Sequence, residues 1–120
     1  MTTQDRAVSI HPYWRVSEGR LDDFKRLCEQ FLSVVRIEPK CLYYGFSLNG
    51  DEVFCREAYD GAEGVLEHVA SVAPLLTDAL KMAQITRLEV HGPEEELARL
   101  RAPLSDFNPT YFTLLHGIRR

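Results

Sequence analysis

The chain has little of what announces most specialised chemistries. Its 120 residues include only three cysteines, one tryptophan and two methionines. Cys28, Cys41 and Cys55 are odd in number and show no CxxC spacing, so neither a disulfide framework nor a thiolate zinc site is expected. Reduced, mostly buried thiols are the reading, and with no neighbour placed to lower a thiol pKa, none is expected to be catalytic. No apolar run reaches the roughly 20 residues of a membrane helix. The opening Met1-Thr2-Thr3-Gln4-Asp5-Arg6 lacks the apolar segment of a secretion signal, which points to the cytoplasm.

Positive charge is not in excess either. Fourteen Lys and Arg stand against eighteen Asp and Glu, for a net charge of -4, and the two signs are interspersed. Clustered basic residues are what phosphate binding needs, so a nucleic-acid partner is excluded, and the terminal Arg119-Arg120 pair is too short to alter that. There is no glycine-rich phosphate loop: Asn49-Gly50-Asp51 reads as a hairpin turn and Asp60-Gly61-Ala62 as the start of a helix. His11 shares a strand face with Tyr13 and Arg15, and His91 and His116 fall near strand ends, without H-x-x-H or comparable spacing. Neither a metal nor any other cofactor is expected.

What remains is an ordinary globular composition, 45% hydrophobic and 27% charged, in a length that suits one domain. The expectation is a single domain over residues 1–120, with a core at 7–91 and a helix-strand extension at 92–120.

Ala7 to Val16 alternates, placing Val8, Ile10, Pro12 and Trp14 on one face and Ser9, His11, Tyr13 and Arg15 on the other, as a strand does. From Leu21 the apolar residues recur at helical spacing through Leu21, Phe24, Leu27, Cys28, Phe31, Leu32 and Val35. That helix is expected to end near Arg36, because the residue before Pro39 is pushed out of the α region. Cys41 to Leu48 and Glu52 to Tyr59 read as strands joined at Asn49-Gly50, a two-residue hairpin signal. Pairing outward from that turn sets Leu48 beside Asp51 and Tyr44 beside Cys55. Leu42, Tyr44 and Phe46 then share a face with Val53, Cys55, Glu57 and Tyr59, opposite Cys41, Tyr43, Gly45, Phe54, Arg56 and Ala58.

A second helix follows Asp60-Gly61, its buried stripe marked by Val65, Val69, Val72, Leu76 and Leu80, with Pro74 expected to bend or split it. Thr86 to His91 reads as a fourth strand, Gly92-Pro93 as the start of a short acidic helix to about Arg101, and Tyr111 to Leu115 as an edge strand. Strand, helix, strand, strand, helix, strand is the split βαβ order of an α+β, ferredoxin-like antiparallel sheet with both helices on one face. The face left bare is expected to carry Trp14, Leu42, Tyr44, Phe46 and Tyr59. So large an apolar patch calls for a second copy of the chain as its cover, which predicts a homodimer.

Several side chains can carry chemistry. His68 lies one turn from Val65 and Val72, beside the buried stripe, where it can look into a pocket against the sheet. It reads either as a proton acceptor for a phenol or enol, or as a hydrogen-bonded structural histidine. Trp14, Tyr44 and Tyr59 offer apolar walls with polar tips, suited to a flat aromatic ligand and equally to core packing. Glu57, a carboxylate among apolar residues, must find a partner or hold a raised pKa.

The run Arg15-Val16-x-x-Gly19-Arg20, then Glu38-Pro39-x-Cys41-Leu42-x-Tyr44, then Glu57-x-Tyr59 with His68 beyond, resembles the antibiotic-biosynthesis monooxygenase family. The likeness covers most of Ala7 to Leu80 and implies a dimeric α/β barrel. Its best-known members oxidise phenolic polyketide rings without metal or flavin, while related branches degrade haem, isomerise small lactones or have no known activity. The haem-degrading pattern, an Asn on the first strand and a Trp followed by a His on the second helix, is missing: Pro12 and His68 stand near those positions. The resemblance implies a cofactor-independent monooxygenase-like enzyme acting on a small aromatic or quinone-type compound, with His68 as proton acceptor and Trp14, Tyr44, Tyr59 and Glu57 around the substrate. A non-catalytic dimeric protein that binds a small apolar ligand, and a lactone-type isomerase, stand as alternatives.

Overall fold

The computed structural model describes residues 5–120; the leading Met1-Thr2-Thr3-Gln4, part of the opening read above for a secretion signal, lies outside them. Strand β1 (Ala7–Val16) leads to helix α1 (Leu21–Val35), then β2 (Cys41–Asn49), β3 (Glu52–Asp60), helix α2 (Gly61–Met82), β4 (Ala83–Gly92), the short helix α3 (Glu94–Ala98), a 3₁₀ turn at Ser105–Phe107, and β5 (Thr110–Thr113). The sheet order is β2-β3-β1-β4-β5. Each neighbouring pair among the first four strands in that order is antiparallel, which is the ferredoxin-like arrangement. The fifth corrects the all-antiparallel expectation, because β5 runs parallel to β4.

The hairpin register differs from the expected one by two residues. Leu48 pairs with Val53 and Tyr44 with Glu57, so the two-residue loop is Gly50-Asp51. Gly50 has φ +62 while Asp51 stays at negative φ, the pattern of a turn that wants glycine at its first central position. A shift of two preserves every face assignment, since side chains alternate with period two. The exception is the start of β2, where an irregularity between Cys41 and Tyr43 pairs Cys41 with Tyr59 on the helix side and leaves Leu42 half-exposed. Pro74 does not split α2, which is continuous from Gly61 to Met82.

The main correction concerns which face the helices cover. Trp14 and Tyr59 are 4% and 0% exposed in the single chain. Trp14, Tyr44 and Phe46 pack with Phe24, Leu27 and Phe31 of α1 and Val72 of α2, and Tyr59 packs with Ala62 and Val65. The expected bare face is therefore the core. The outer face instead carries Tyr13, Phe54, His11, His91 and Phe112, whose rings touch in series, with Arg56 over the half-exposed Tyr43 ring. The handedness of the β1-α1-β2 crossover fixes the side on which a helix lands, and alternation along a strand says nothing about it.

The segment after β4 packs back on the core. Leu97, Leu100 and Leu104 join Val8, Ile10 and Val90 in one buried cluster. Among the described residues no helix is long and apolar enough to cross a membrane.

Candidate active site

A cavity of about 90 Å³ lies between the sheet and the two long helices. Ile10, Pro12 and Trp14 of β1, Cys55 and Glu57 of β3 and Tyr44 of β2 form its floor, because each occupies the inward phase of its strand. Phe24 and Phe31 of α1, and His68 and Val72 of α2, form its roof. Leu104 and Phe107 close one part of the wall, so the extension contributes to the cavity as well as to the sheet. Aliphatic side chains and aromatic rings share the lining; Trp14 meets Phe24 at 5.6 Å and Tyr44 meets Phe46 edge-on at 5.4 Å.

Within this apolar space one polar cluster stands out. Glu57 is 5% exposed and His68 6%, and His68 Nε2 lies 3.5 Å from Glu57 Oε1. Tyr59 donates its hydroxyl to the same Glu57 oxygen at 2.6 Å. On the other side of the ring, His68 Nδ1 lies 3.0 and 3.1 Å from the two oxygens of Glu38, and Ser71 Oγ donates to Glu38 at 2.6 Å. The rings of Tyr44 and Tyr59 flank His68 at 5.4 and 4.9 Å.

Burial pushes the Glu57 carboxyl up to about 7, against the pull of hydrogen bonds from Tyr59 and Cys55. It therefore keeps its proton to higher pH than an ordinary carboxyl does, which suits proton transfer. Burial also lowers the pKa of His68, opposed by Glu38, so a neutral imidazole is favoured. The Tyr44 hydroxyl and the Cys55 thiol are both pushed well up by burial and by Glu57. They act as hydrogen-bonding groups and not as nucleophiles.

Of the sequence candidates, Trp14, Tyr44, Glu57 and His68 line one cavity, while Tyr59 stands behind it and reaches it through Glu57. Glu38 was not singled out from the sequence for chemistry. It entered only as the residue before Pro39 and as part of the Glu38-Pro39-x-Cys41 run of the resemblance, and the fold sets it beside a helix residue thirty positions away. His11 and His91 lie on the outer face, ring to ring at 4.4 Å, and His116 is exposed. Among the described residues, no three or more His, Cys, Asp or Glu side chains gather as metal ligands would.

No family model matches the chain, and no curated protein does. Among solved structures, the chain is similar to MupZ from Pseudomonas fluorescens, at 42% identity over 100% of this chain and 94% of that one, with TM-score 0.95. A conserved protein from Methanosarcina mazei Go1 aligns at 14% identity over 70% of this chain and 89% of its own, with TM-score 0.66. A Chloroflexus aurantiacus J-10-fl protein assigned to the antibiotic biosynthesis monooxygenases aligns at 16% over 72% and 92%, with TM-score 0.62. The last two show a shared fold.

Proposed function

We propose, for a chain that belongs to the family of MupZ from Pseudomonas fluorescens and has the fold of the antibiotic-biosynthesis monooxygenases, that its cavity is an acid–base site for a small apolar compound. The observation that carries this is Glu57 and His68 facing each other at 3.5 Å inside an apolar cavity. A buried carboxyl and imidazole facing each other across a cavity are groups able to exchange a proton with a bound compound.

The first reading is cofactor-independent monooxygenation of a phenol or quinol. His68 Nε2 takes the hydroxyl proton, and the resulting phenolate supplies electrons to dioxygen. One oxygen atom becomes a ring carbonyl and the other leaves as water, so a phenol and dioxygen give a quinone and water. Trp14 and Tyr44 would hold the ring, with Tyr59 setting the orientation of Glu57. The cavity is smaller than the about 150 Å³ apolar hole that admits benzene, so a ring enters only as neighbouring side chains give way.

Glu57 favours a second reading. A carboxyl that keeps its proton near neutrality can donate it as well as take it. Paired with His68, it supplies the acid and base that a lactone-type isomerase needs, with no oxygen consumed. An oxygen electrode with a panel of phenols and quinols separates the two readings. Uptake that is lost in both His68→Gln and Glu57→Gln supports the first. Binding without uptake moves the case to isomerisation, or to a ligand-binding protein without activity.

The proposal includes a second copy of the chain over the outer sheet face, where the touching rings of Tyr13, Phe54, His91 and Phe112 would be covered. It also includes a cytoplasmic location, which suits three free cysteines.

A further inference from the structure

We infer that Glu38 is the positioning residue of this site, fixing the ring tautomer of His68 so that Nε2 carries the lone pair and faces Glu57 and the cavity. The inference rests on the acid–base reading above. Both Glu38 oxygens lie within hydrogen-bond distance of Nδ1, at 3.0 and 3.1 Å. Carboxylate oxygens only accept, so the ring must donate Nδ1–H. A neutral imidazole with its proton on Nδ1 has none on Nε2. The opposite tautomer would set a nitrogen lone pair against a carboxylate at 3.0 Å, with no proton between them.

Glu38 is itself held. Ser71, one turn along α2 from His68, donates to its second oxygen at 2.6 Å, and Pro39 restricts its backbone to extended conformations. The Glu38 side chain is 11% exposed and that of His68 7%, so water competes little for either partner. The other polar groups around the imidazole are Glu57, Tyr44 and Tyr59, and none of them approaches Nδ1.

The arrangement decides what His68 can do. Its bare Nε2 can take a proton from a bound hydroxyl or from the Glu57 carboxyl: the N–H bond forms as the O–H bond breaks. The imidazolium then lies against the Glu38 carboxylate, which stabilises the new charge. A carboxylate behind the catalytic histidine of a hydrolytic triad works by the same physics.

Nitrogen-15 NMR of the full chain reads the tautomer directly, without any substrate. The expected wild-type pattern is a protonated Nδ1 and an unprotonated Nε2 for His68. In Glu38→Ala the ring should shift to the Nε2–H form, whereas Glu38→Gln, whose amide oxygen can still accept Nδ1–H, should keep the wild-type pattern. Should Glu38→Ala fail to fold, Ser71→Ala loosens the same carboxylate and should give a mixture of the two forms. An Nε2–H form in the wild type, or an unchanged pattern in a folded Glu38→Ala, overturns the inference. A cavity that binds no phenol or quinol sinks the functional proposal instead, and leaves the ring pattern untouched.

Discussion

Glu96 Oε1 accepts the backbone N–H of Ala62 at 2.8 Å, so a side chain from the segment beyond β4 caps the first turn of the helix that carries His68. Arg6 holds the other Glu96 oxygen at 3.0 Å. The helix begins at Gly61 with φ +73, and a methyl group there would stand 2.8 Å from Glu96 Oε1. The extension thereby fixes where α2 starts, and with it the depth at which His68 meets Glu57.

Removing the cap should loosen that registration. Glu96→Ala leaves a buried helix-end N–H without its partner, at a cost of about 1–3 kcal/mol. Gly61→Ala should cost about the same or more, since it combines left-handed strain with the Glu96 contact. Urea melts of the full chain check both. A Gly61→Ala protein as stable as the wild type would show that the contact is slack.

Glu57 makes stability depend on pH. Its carboxyl is held at about 7 in the folded chain, against an ordinary 4.5, so the folded state binds the proton more tightly than the unfolded one. The stabilisation is complete below pH 4.5 and is lost as pH rises to about 7. His68, lowered by burial, acts oppositely, its contribution being lost as pH falls below its ordinary 6.5. The Glu57 part is isolated by subtraction: the wild-type advantage over Glu57→Gln should fall by roughly 3 kcal/mol between those limits. A difference that is flat with pH would mean that folding does not raise the Glu57 pKa.

The single tryptophan is a built-in reporter. Trp14 is buried and lines the cavity beside Phe24, so a phenol or quinol entering the cavity should quench or shift its emission with a saturable dose response. Phe107→Ala, by widening the wall, should extend binding to bulkier members of the series. If binding saturates normally while the emission of Trp14 stays constant, the ligand sits elsewhere.

The cysteines should resist alkylation. Burial raises the thiol of Cys28 to about 12 and that of Cys41, helped by nearby Glu38 and Glu57, to about 11, and Cys55 is buried deepest. Iodoacetamide at pH 8 should modify the native chain slowly and all three thiols quickly in urea. Rapid native labelling of Cys55 would reveal an open cavity.

Pairing through the outer face predicts a dimer in sedimentation at micromolar concentration. Phe54, whose ring lies 4.8 Å from that of Tyr13, is the position to charge. Phe54→Lys should yield a folded monomer that melts at a lower temperature than the wild type, since the stabilisation by the partner copy is lost. A wild-type monomer removes the second copy from the proposal.

Alternation and helical spacing determined the element order. Ala7–Val16 formed one strand with the bounds its pattern gave, and the helix begun at Leu21 ended before Pro39 because proline forbids continuation. The same local physics put Tyr44, Glu57 and Tyr59 on one side of the hairpin, and a register slip of two residues left that untouched. What alternation cannot encode is the hand of a crossover. Tertiary structure alone placed both helices over Trp14 and Tyr59, turning an expected interface into a core. It alone brought Glu38 to His68, and Leu104 and Phe107 to the cavity wall, because contacts between residues distant in sequence arise only when packed layers close around a shared core.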